Sequence, residues 1–302
     1  MSGRPSLLTL PREIRDEIYT LLLNSSNVPP TSPEETGLRY REAVEDDVFS
    51  HRNVFYPPPT TWKGHTSALL QCNRQLRQEI VDATASARLQ QGGTCKLDVM
   101  LKGCMLWPTW TKLLHPTGKM EHLEVNLRLF DVNGGGGLFW GCGGPGLTFV
   151  VLFRLLNRLL HHGPRFLYDE RDNQSLEIQT LTLNVLRGSG EMLGPNDRPF
   201  EDLEDPAVKL KRRLEHEYKK IYQYICSSVG QVVRAGLLTD KIQTLEVCYG
   251  DAVTLFATDD IAPRTTPSDE WEEWGFVWGV DEGMKVEKVN SPALRNAFIA
   301  AT

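Results

Sequence analysis

The sequence predicts an α/β protein in which crossover helices connect the strands of a small, mostly parallel sheet, with an α+β arrangement as the alternative. The first observation is that four segments alternate apolar and polar residues as half-buried strands do. They are CKLDVML at 95–101, HLEVNLRLF at 122–130, IQTLTLNVL at 178–186 and IQTLEVCYG at 242–250. The second observation is that long helical segments separate the later strands, which favours parallel neighbours joined by right-handed crossovers.

An amphipathic helix opens the chain, and a second one follows after a long insertion. Apolar residues recur every three or four positions from Leu10 to Leu22, and Pro11 suits the first turn of this helix. The second helix is predicted over 67–87. Its apolar face carries Leu69, Cys72, Leu76, Ile80 and Ala83. Residues 24–65 are rich in proline, which fixes φ and removes a hydrogen-bond donor, so we expect little regular structure in this insertion.

Two further helices are predicted in the body of the protein. One spans 147–163, is apolar around most of its circumference and ends at a Gly-Pro stop signal. The other begins at 205–206, where an aspartate suits the N-cap and a proline suits the first helical position. A tryptophan-rich region with a hairpin around 281–283 follows near the end of the sequence. We therefore divide the chain into an N-terminal helical region, 1–90, and an α/β body, 91–302.

The composition is that of a globular protein. Of 302 residues, 40% are hydrophobic and 24% are charged, a balance typical of folded domains. The chain has 33 basic and 39 acidic residues, a formal net charge of −6, which argues against a dedicated nucleic-acid binder. It has neither an apolar run long enough to span a bilayer nor a secretory signal, and its six cysteines are scattered. We expect an intracellular protein, cytoplasmic or nuclear, with reduced thiols.

The motifs do not supply a catalytic or metal-binding constellation, so we expect a protein that is not an enzyme and holds no cofactor or metal. The string GCGGPG at 141–146 matches G-x-G-x-x-G and precedes a helix, but the nearest strand candidate ends well before it. We interpret it as a surface insertion. His161 and His162 are adjacent and point about 100° apart on a helix, which does not suit one shared ion. The basic stretch at 209–220 is interpreted as a solvated helix face.

Two segments of the chain resemble a known family. They are LTLPREIRDEIY at 8–19 and LLQCNRQLRQEI at 69–80. Together they are similar to the F-box-like domain found in large families of filamentous-fungal proteins. The pattern of that domain is L-P-R-E-I-R-x-x-I-Y, followed later by L-L-x-x-N-R-Q-x-R-x-E. The resemblance covers these two segments and implies an F-box-like helical unit packed on the sheet.

The resemblance also implies a non-catalytic protein-interaction subunit. In F-box proteins the leucine–proline corner and the helix after it dock on the Skp-type adaptor of a cullin-type ubiquitin ligase, and the rest of the chain recruits a substrate. Carried onto this sequence, the partner-binding residues are Leu10, Pro11, Ile14, Ile18, Leu22 and Leu76. Leu76 stands where an F-box often has tryptophan.

Two alternative functions stay open. The chain can be an F-box-like scaffold or chromatin-associated interaction protein without a link to a ligase. It can also be a nucleotide- or small-molecule-binding enzyme that uses the glycine-rich loop at 134–146.

Overall fold

The computed structural model describes residues 7–43, 52–58, 67–91, 93–113, 118–130, 146–166, 175–188, 206–258, 261, 271 and 286–290. The α-helices are α1 (Arg12–Asn24), α2 (Ser67–Cys72), α3 (Arg74–Gln91), α4 (Leu147–His162) and α5 (Pro206–Arg234). The strands are β1 (Leu38–Ala43), β2 (Asn53–Tyr56), β3 (Thr94–Lys102), β4 (Met105–Lys112), β5 (Lys119–Phe130), β6 (Glu177–Arg187), β7 (Ile242–Tyr249), β8 (Ala252–Ala257) and β9 (Val286–Asn290).

The described strands form one sheet in the order β8-β7-β6-β5-β3-β4-β2-β1-β9. The four central strands β7, β6, β5 and β3 are parallel to one another, which is what the predicted crossovers require. Antiparallel hairpins extend the sheet on both sides, with β8 beyond β7 and β4 beyond β3. The predicted α/β class is confirmed. The sheet is larger than the four predicted strands because short hairpins add strands at its edges.

The core lies between the sheet and helices α4 and α5. Leu123, Leu181 and Leu245 are paired in register on neighbouring strands, and all three are buried. Phe153 of α4 and Ile225 of α5 belong to the same buried cluster. Burial of this aliphatic surface is the dominant favourable contribution to folding. The four central strands were predictable because their apolar residues alternate with polar ones and face these helices.

The opposite face of the central strands is mostly polar. The Nε2 atom of His122 lies 2.9 Å from the hydroxyl oxygen of Thr182, and that hydroxyl donates to Glu246 at 3.0 Å. Lys96 and Glu124 form an ion pair of 2.7 Å on the same face. Successive side chains of a strand point to opposite faces, so the alternation in sequence becomes one apolar face and one mostly polar face. A small buried cluster on the mostly polar face is formed by Phe55, Met100 and Trp107.

The insertion at 24–65, for which we expected little regular structure, contributes two short strands to the sheet. Strands β1 and β2 lie within this insertion, and β2 pairs in parallel with β4, so both strands belong to the sheet. The Glu42 carboxylate of β1 accepts hydrogen bonds from the Tyr56 hydroxyl at 2.7 Å and from Arg154 Nε at 2.8 Å. Arg158 Nε donates to the same carboxylate at 3.2 Å. Because the charged Glu42 faces the interior, hydrophobic alternation does not reveal β1, and β2 is a short apolar run that ends directly before three prolines.

The helix predicted over 67–87 is interrupted. The side-chain oxygen of Asn73 accepts a hydrogen bond from the backbone N–H of Gln75 at 2.7 Å, and this N-cap separates α2 from α3. Cys72, predicted on the apolar face, is the last residue of α2 and is exposed. The other predicted helices, α1, α4 and α5, are confirmed with similar bounds.

The tryptophan-rich region near the end of the sequence is described in part. Trp271 is buried and its ring lies 6.5 Å from that of Phe153 in α4. Trp274, Trp278 and the predicted hairpin turn at 281–283 lie outside the described residues. The segment that follows forms β9 and pairs antiparallel with β1.

Candidate functional site

Helix α1 presents two different faces. Arg15, Tyr19 and Leu23 are buried, with 7%, 0% and 5% of their surfaces exposed. Leu10 and Ile14, which begin the predicted apolar stripe, are 37% and 44% exposed. Each residue of an α-helix is rotated by about 100° from the previous one. The face that packs inward is therefore offset by one residue from the stripe that the sequence indicates.

A polar network between α1 and α3 fills the space beneath the buried face. Arg15 donates two hydrogen bonds to the Glu79 carboxylate, from Nε at 2.9 Å and from Nη2 at 2.7 Å. The Tyr19 hydroxyl donates to the same carboxylate at 2.8 Å, and the Gln75 side-chain amide donates at 3.0 Å. We call Arg15, Tyr19, Gln75 and Glu79 the α1–α3 network. A two-point contact between guanidinium and carboxylate fixes direction as well as distance, so the network sets the orientation of α1 on α3.

The same network fixes the leucine–proline corner that precedes α1. Arg15 Nη1 donates to the backbone carbonyl of Leu10 at 2.6 Å. The carbonyl of Pro11 accepts the first hydrogen bond of the helix, from the Arg15 N–H at 3.2 Å. A single buried arginine therefore links α3, the start of α1 and the corner before it.

The charges of the network shift the proton affinities of its members. Hydrogen bonds from Arg15 are the largest of the influences that lower the pKa of Glu79, to about 2. Burial is the main cause that raises the pKa of Tyr19 to about 12, and the hydrogen bond to Glu79 adds to it. Glu79 is therefore a carboxylate and Tyr19 a neutral hydrogen-bond donor over the physiological range.

Five of the six predicted partner-binding residues lie on the outer side of α1 and its preceding corner. Leu10, Pro11 and Ile14 are exposed, and Ile18 and Leu22 are half-buried. Leu21, which the sequence interpretation missed, is 67% exposed and lies at helical spacing from Ile14 and Ile18. We define the outer apolar surface as Leu10, Pro11, Ile14, Ile18, Leu21 and Leu22.

Leu76, the sixth predicted residue, lies elsewhere. It is 6% exposed and belongs to a buried cluster with Tyr19 and Ile80, between α1 and α3. Its side chain holds the two helices together and does not contribute to the outer apolar surface.

The α1–α3 network also explains why the two sequence motifs occur together. Arg15 and Tyr19 come from the first motif, and Gln75 and Glu79 come from the second. In each motif the two residues are four positions apart, which places them one turn apart on the same side of a helix. The polar residues at positions i and i+4 within each motif are the sequence signal that could have indicated the network.

Two features of the described residues outside the helical unit bear on ligand binding. A cavity of about 90 Å³ lies between α4, α5 and the sheet, and every described residue that lines it is apolar. Among the described residues, no group of three or more histidine, cysteine, aspartate or glutamate side chains is arranged to hold a metal ion. Residues 134–145 of the glycine-rich loop lie outside the described part of the chain.

The described helices also bear on membrane insertion. No helix within the described ranges is long and apolar enough to cross a membrane.

Comparisons with protein-family models, with curated proteins and with solved structures found no match to this chain. The candidate site is therefore inferred from the positions and contacts of its residues alone. The F-box-like resemblance remains a prediction from the two motifs.

Proposed function

We propose that this chain is a non-catalytic protein-interaction subunit that docks on a Skp-type adaptor of a cullin-type ubiquitin ligase through the outer apolar surface. The observation that carries the proposal is that aliphatic side chains of α1 stay exposed while Arg15 and Tyr19 fill the interior of the helical unit. An amphipathic helix normally turns its aliphatic residues inward. Burial of such surface in a partner contributes roughly 25 cal/mol per Å² of favourable free energy, so docking through this face is favourable.

The rigidity of α1 supports the same proposal. The α1–α3 network and the buried side chains of Leu76 and Ile80 hold the helix before any partner binds. A preorganised surface loses less conformational entropy on association than a mobile one. Docking through Leu10, Ile14 and Leu21 therefore requires no rearrangement of the helix.

The α/β body is proposed to recruit the protein that the ligase acts on. A scaffold without a ligase link would use the same outer apolar surface on a different partner, so the identity of the protein that binds it separates these two functions. The enzyme alternative depends on a loop that lies mostly outside the described residues.

The test is a binding measurement with the purified Skp-type adaptor of the host. The variant Ile14→Asp/Leu21→Asp places two charges in the outer apolar surface at positions that are 44% and 67% exposed. We expect the affinity for the adaptor to fall roughly 100-fold or more, because the anchors of an interface dominate its free energy. The circular dichroism spectrum and the thermal midpoint are expected to stay close to those of the wild type.

The matched control is Val81→Asp. Val81 is 50% exposed and lies on α3, so this variant makes the same change as the single variant Ile14→Asp, at a residue of similar exposure away from the outer apolar surface. Both single variants are measured beside the double variant. We expect Val81→Asp to bind the adaptor like the wild type. Absence of binding by the wild type, or an equal loss in both single variants, would contradict the proposal.

A further inference from the structure

Strand β8 forms one edge of the sheet and is held firmly from the inside. It pairs antiparallel with β7, and within the described residues no strand pairs with its other side. The hydroxyl oxygens of Thr254 and Tyr222 of α5 are 2.7 Å apart. Phe256 packs so closely on α5 that a Cβ atom added at Gly230 would lie 3.2 Å from its ring. The edge is therefore a preformed strand and not a loosely attached segment.

The register of the hairpin shows which backbone groups point away from the sheet. Tyr249 pairs with Ala252 across a two-residue turn, and the N–H of Thr258 donates to the carbonyl of Gln243 at 3.1 Å. Hydrogen-bonded and non-hydrogen-bonded pairs alternate along an antiparallel ladder. The residues that direct their N–H and C=O groups outward are therefore Val253, Leu255 and Ala257.

Strand β8 itself, as far as the described residues show, lacks the charged side chains and proline that usually prevent edge-to-edge pairing. The sequence AVTLFA of β8 contains no charged residue and no proline. Val253 and Leu255 are 61% and 62% exposed. Natural proteins commonly protect edge strands with lysine, proline or a bulge, so an unprotected strand of this kind is suited to pairing with another chain.

We propose that β8 pairs antiparallel with β8 of a second copy of this chain, about a twofold axis at Leu255. This register brings the outward groups of Val253, Leu255 and Ala257 of one copy opposite those of Ala257, Leu255 and Val253 of the other. Every outward N–H and C=O of the strand then has a partner, and no like charges meet within the strand. The backbone pattern is complementary to itself, which is why a second copy is the favoured occupant.

The test is site-specific disulfide formation. In the proposed dimer the two copies of residue 255 form a hydrogen-bonded pair, with Cα atoms about 5.5 Å apart. That separation lies within the range that a disulfide spans. We therefore expect Leu255→Cys to form a covalent dimer under mild oxidation.

The matched control is Ala257→Cys, because Ala257 is exposed and pairs with Thr244, whereas a cysteine at position 253 would lie directly opposite Cys248 of the same copy. Its two copies would lie four residue steps apart along the strands, about 14 Å, which a disulfide cannot bridge. Both variants retain the exposed Cys72, so cross-linking through that thiol would affect them equally. Failure of Leu255→Cys to cross-link, or equal cross-linking of both variants, overturns the proposal.

Solution mass measurements give a second readout that needs no new cysteine. We expect the wild type to dimerise and to do so more tightly as salt screens the net charge of −6 on each copy. Leu255→Lys would place two like charges opposite each other on the axis, and we expect the dimer dissociation constant to rise at least about tenfold. The thermal midpoint of a dilute sample should change little, since this side chain faces solvent. A wild type that is monomeric at all accessible concentrations, or a Leu255→Lys dimer of unchanged affinity, counts against the twofold β8 interface.

Discussion

Two parts of this molecule combine a glutamate, arginine and tyrosine into a hydrogen-bonded network, but they do so in different surroundings. The α1–α3 network gathers donors around Glu79, which is 4% exposed, and the Arg12 side chain, 44% exposed, also reaches this carboxylate at 3.3 Å. The second network joins Glu42 and Tyr56 of the insertion to Arg154 and Arg158 of α4, and we call it the β1–α4 network. Both Glu42 and Arg158 are only 1% exposed.

Both carboxylates are buried, and the difference is that the α1–α3 network contacts the exposed Arg12 side chain, so water lies next to it. A charge that water can reach is partly solvated when its partner is removed, because the effective dielectric constant near the surface is high. A charge in the interior keeps the full cost of desolvation when it loses its partner. We therefore expect the β1–α4 network to control the stability of the fold and the α1–α3 network to control the placement of one helix.

The largest expected effect follows from removing the carboxylate of the β1–α4 network. Glu42→Gln breaks the ion pairs that Arg154 and Arg158 make with this residue inside the protein. We expect a loss of about 3–5 kcal/mol in the free energy of unfolding, measured by urea denaturation. Glu79→Gln is the matched change in the other network and should cost clearly less. Equal losses in the two variants would show that the water next to Arg12 does not separate the networks.

A smaller effect is expected when the tyrosine hydroxyls are removed. Tyr56→Phe and Tyr19→Phe each delete one hydrogen bond to a carboxylate, of 2.7 Å and 2.8 Å respectively. Such a bond to a charged group contributes about 1.5–3 kcal/mol. We expect Tyr56→Phe to fall within this range and Tyr19→Phe below it, because the solvent-exposed Arg12 side chain also pairs with Glu79 and has no counterpart among the described partners of Glu42. The reverse order of unfolding midpoints would contradict the comparison.

The sequence predicted well the parts of the fold that hydrophobic periodicity governs. The four central strands and helices α1, α4 and α5 each carry an apolar face that packs on the core, and such faces are visible from spacing alone. Strand β2 was missed because its short apolar run ends directly before the prolines at 57–59. Strand β1 was missed because Arg39 and Glu42 occupy buried positions, where the pattern requires apolar residues. Their partners are supplied by distant segments, such as Pro108, whose carbonyl accepts from Arg39 at 2.7 Å.

The candidate site was predictable only in part for the same reason. The residues of the outer apolar surface were found from their spacing, but their orientation was not. Whether Ile14 points inward or outward depends on Glu79, which is 64 positions from Arg15 in the chain. A local pattern shows that a helix is amphipathic, whereas a distant carboxylate decides which of its faces is turned to the protein.

The smallest effect separates the networks by their response to acid. The pKa of Glu79 is lowered to about 2 in the folded protein, chiefly by Arg15, while in the unfolded chain a glutamate titrates near its usual value of about 4.3. Its contribution to stability is therefore complete above about pH 4.3 and is lost as the pH falls toward about 2. We expect the wild type to lose more stability than Glu79→Gln between about pH 6 and about pH 3, as measured by urea unfolding at each pH. Amide exchange of α1 should rise over the same interval in the wild type, because the network that holds this helix weakens before the interior of the sheet does. Parallel pH dependence of the two proteins would mean that Glu79 does not supply this acid sensitivity, and the helical unit would then owe its position to Leu76 and Ile80 instead.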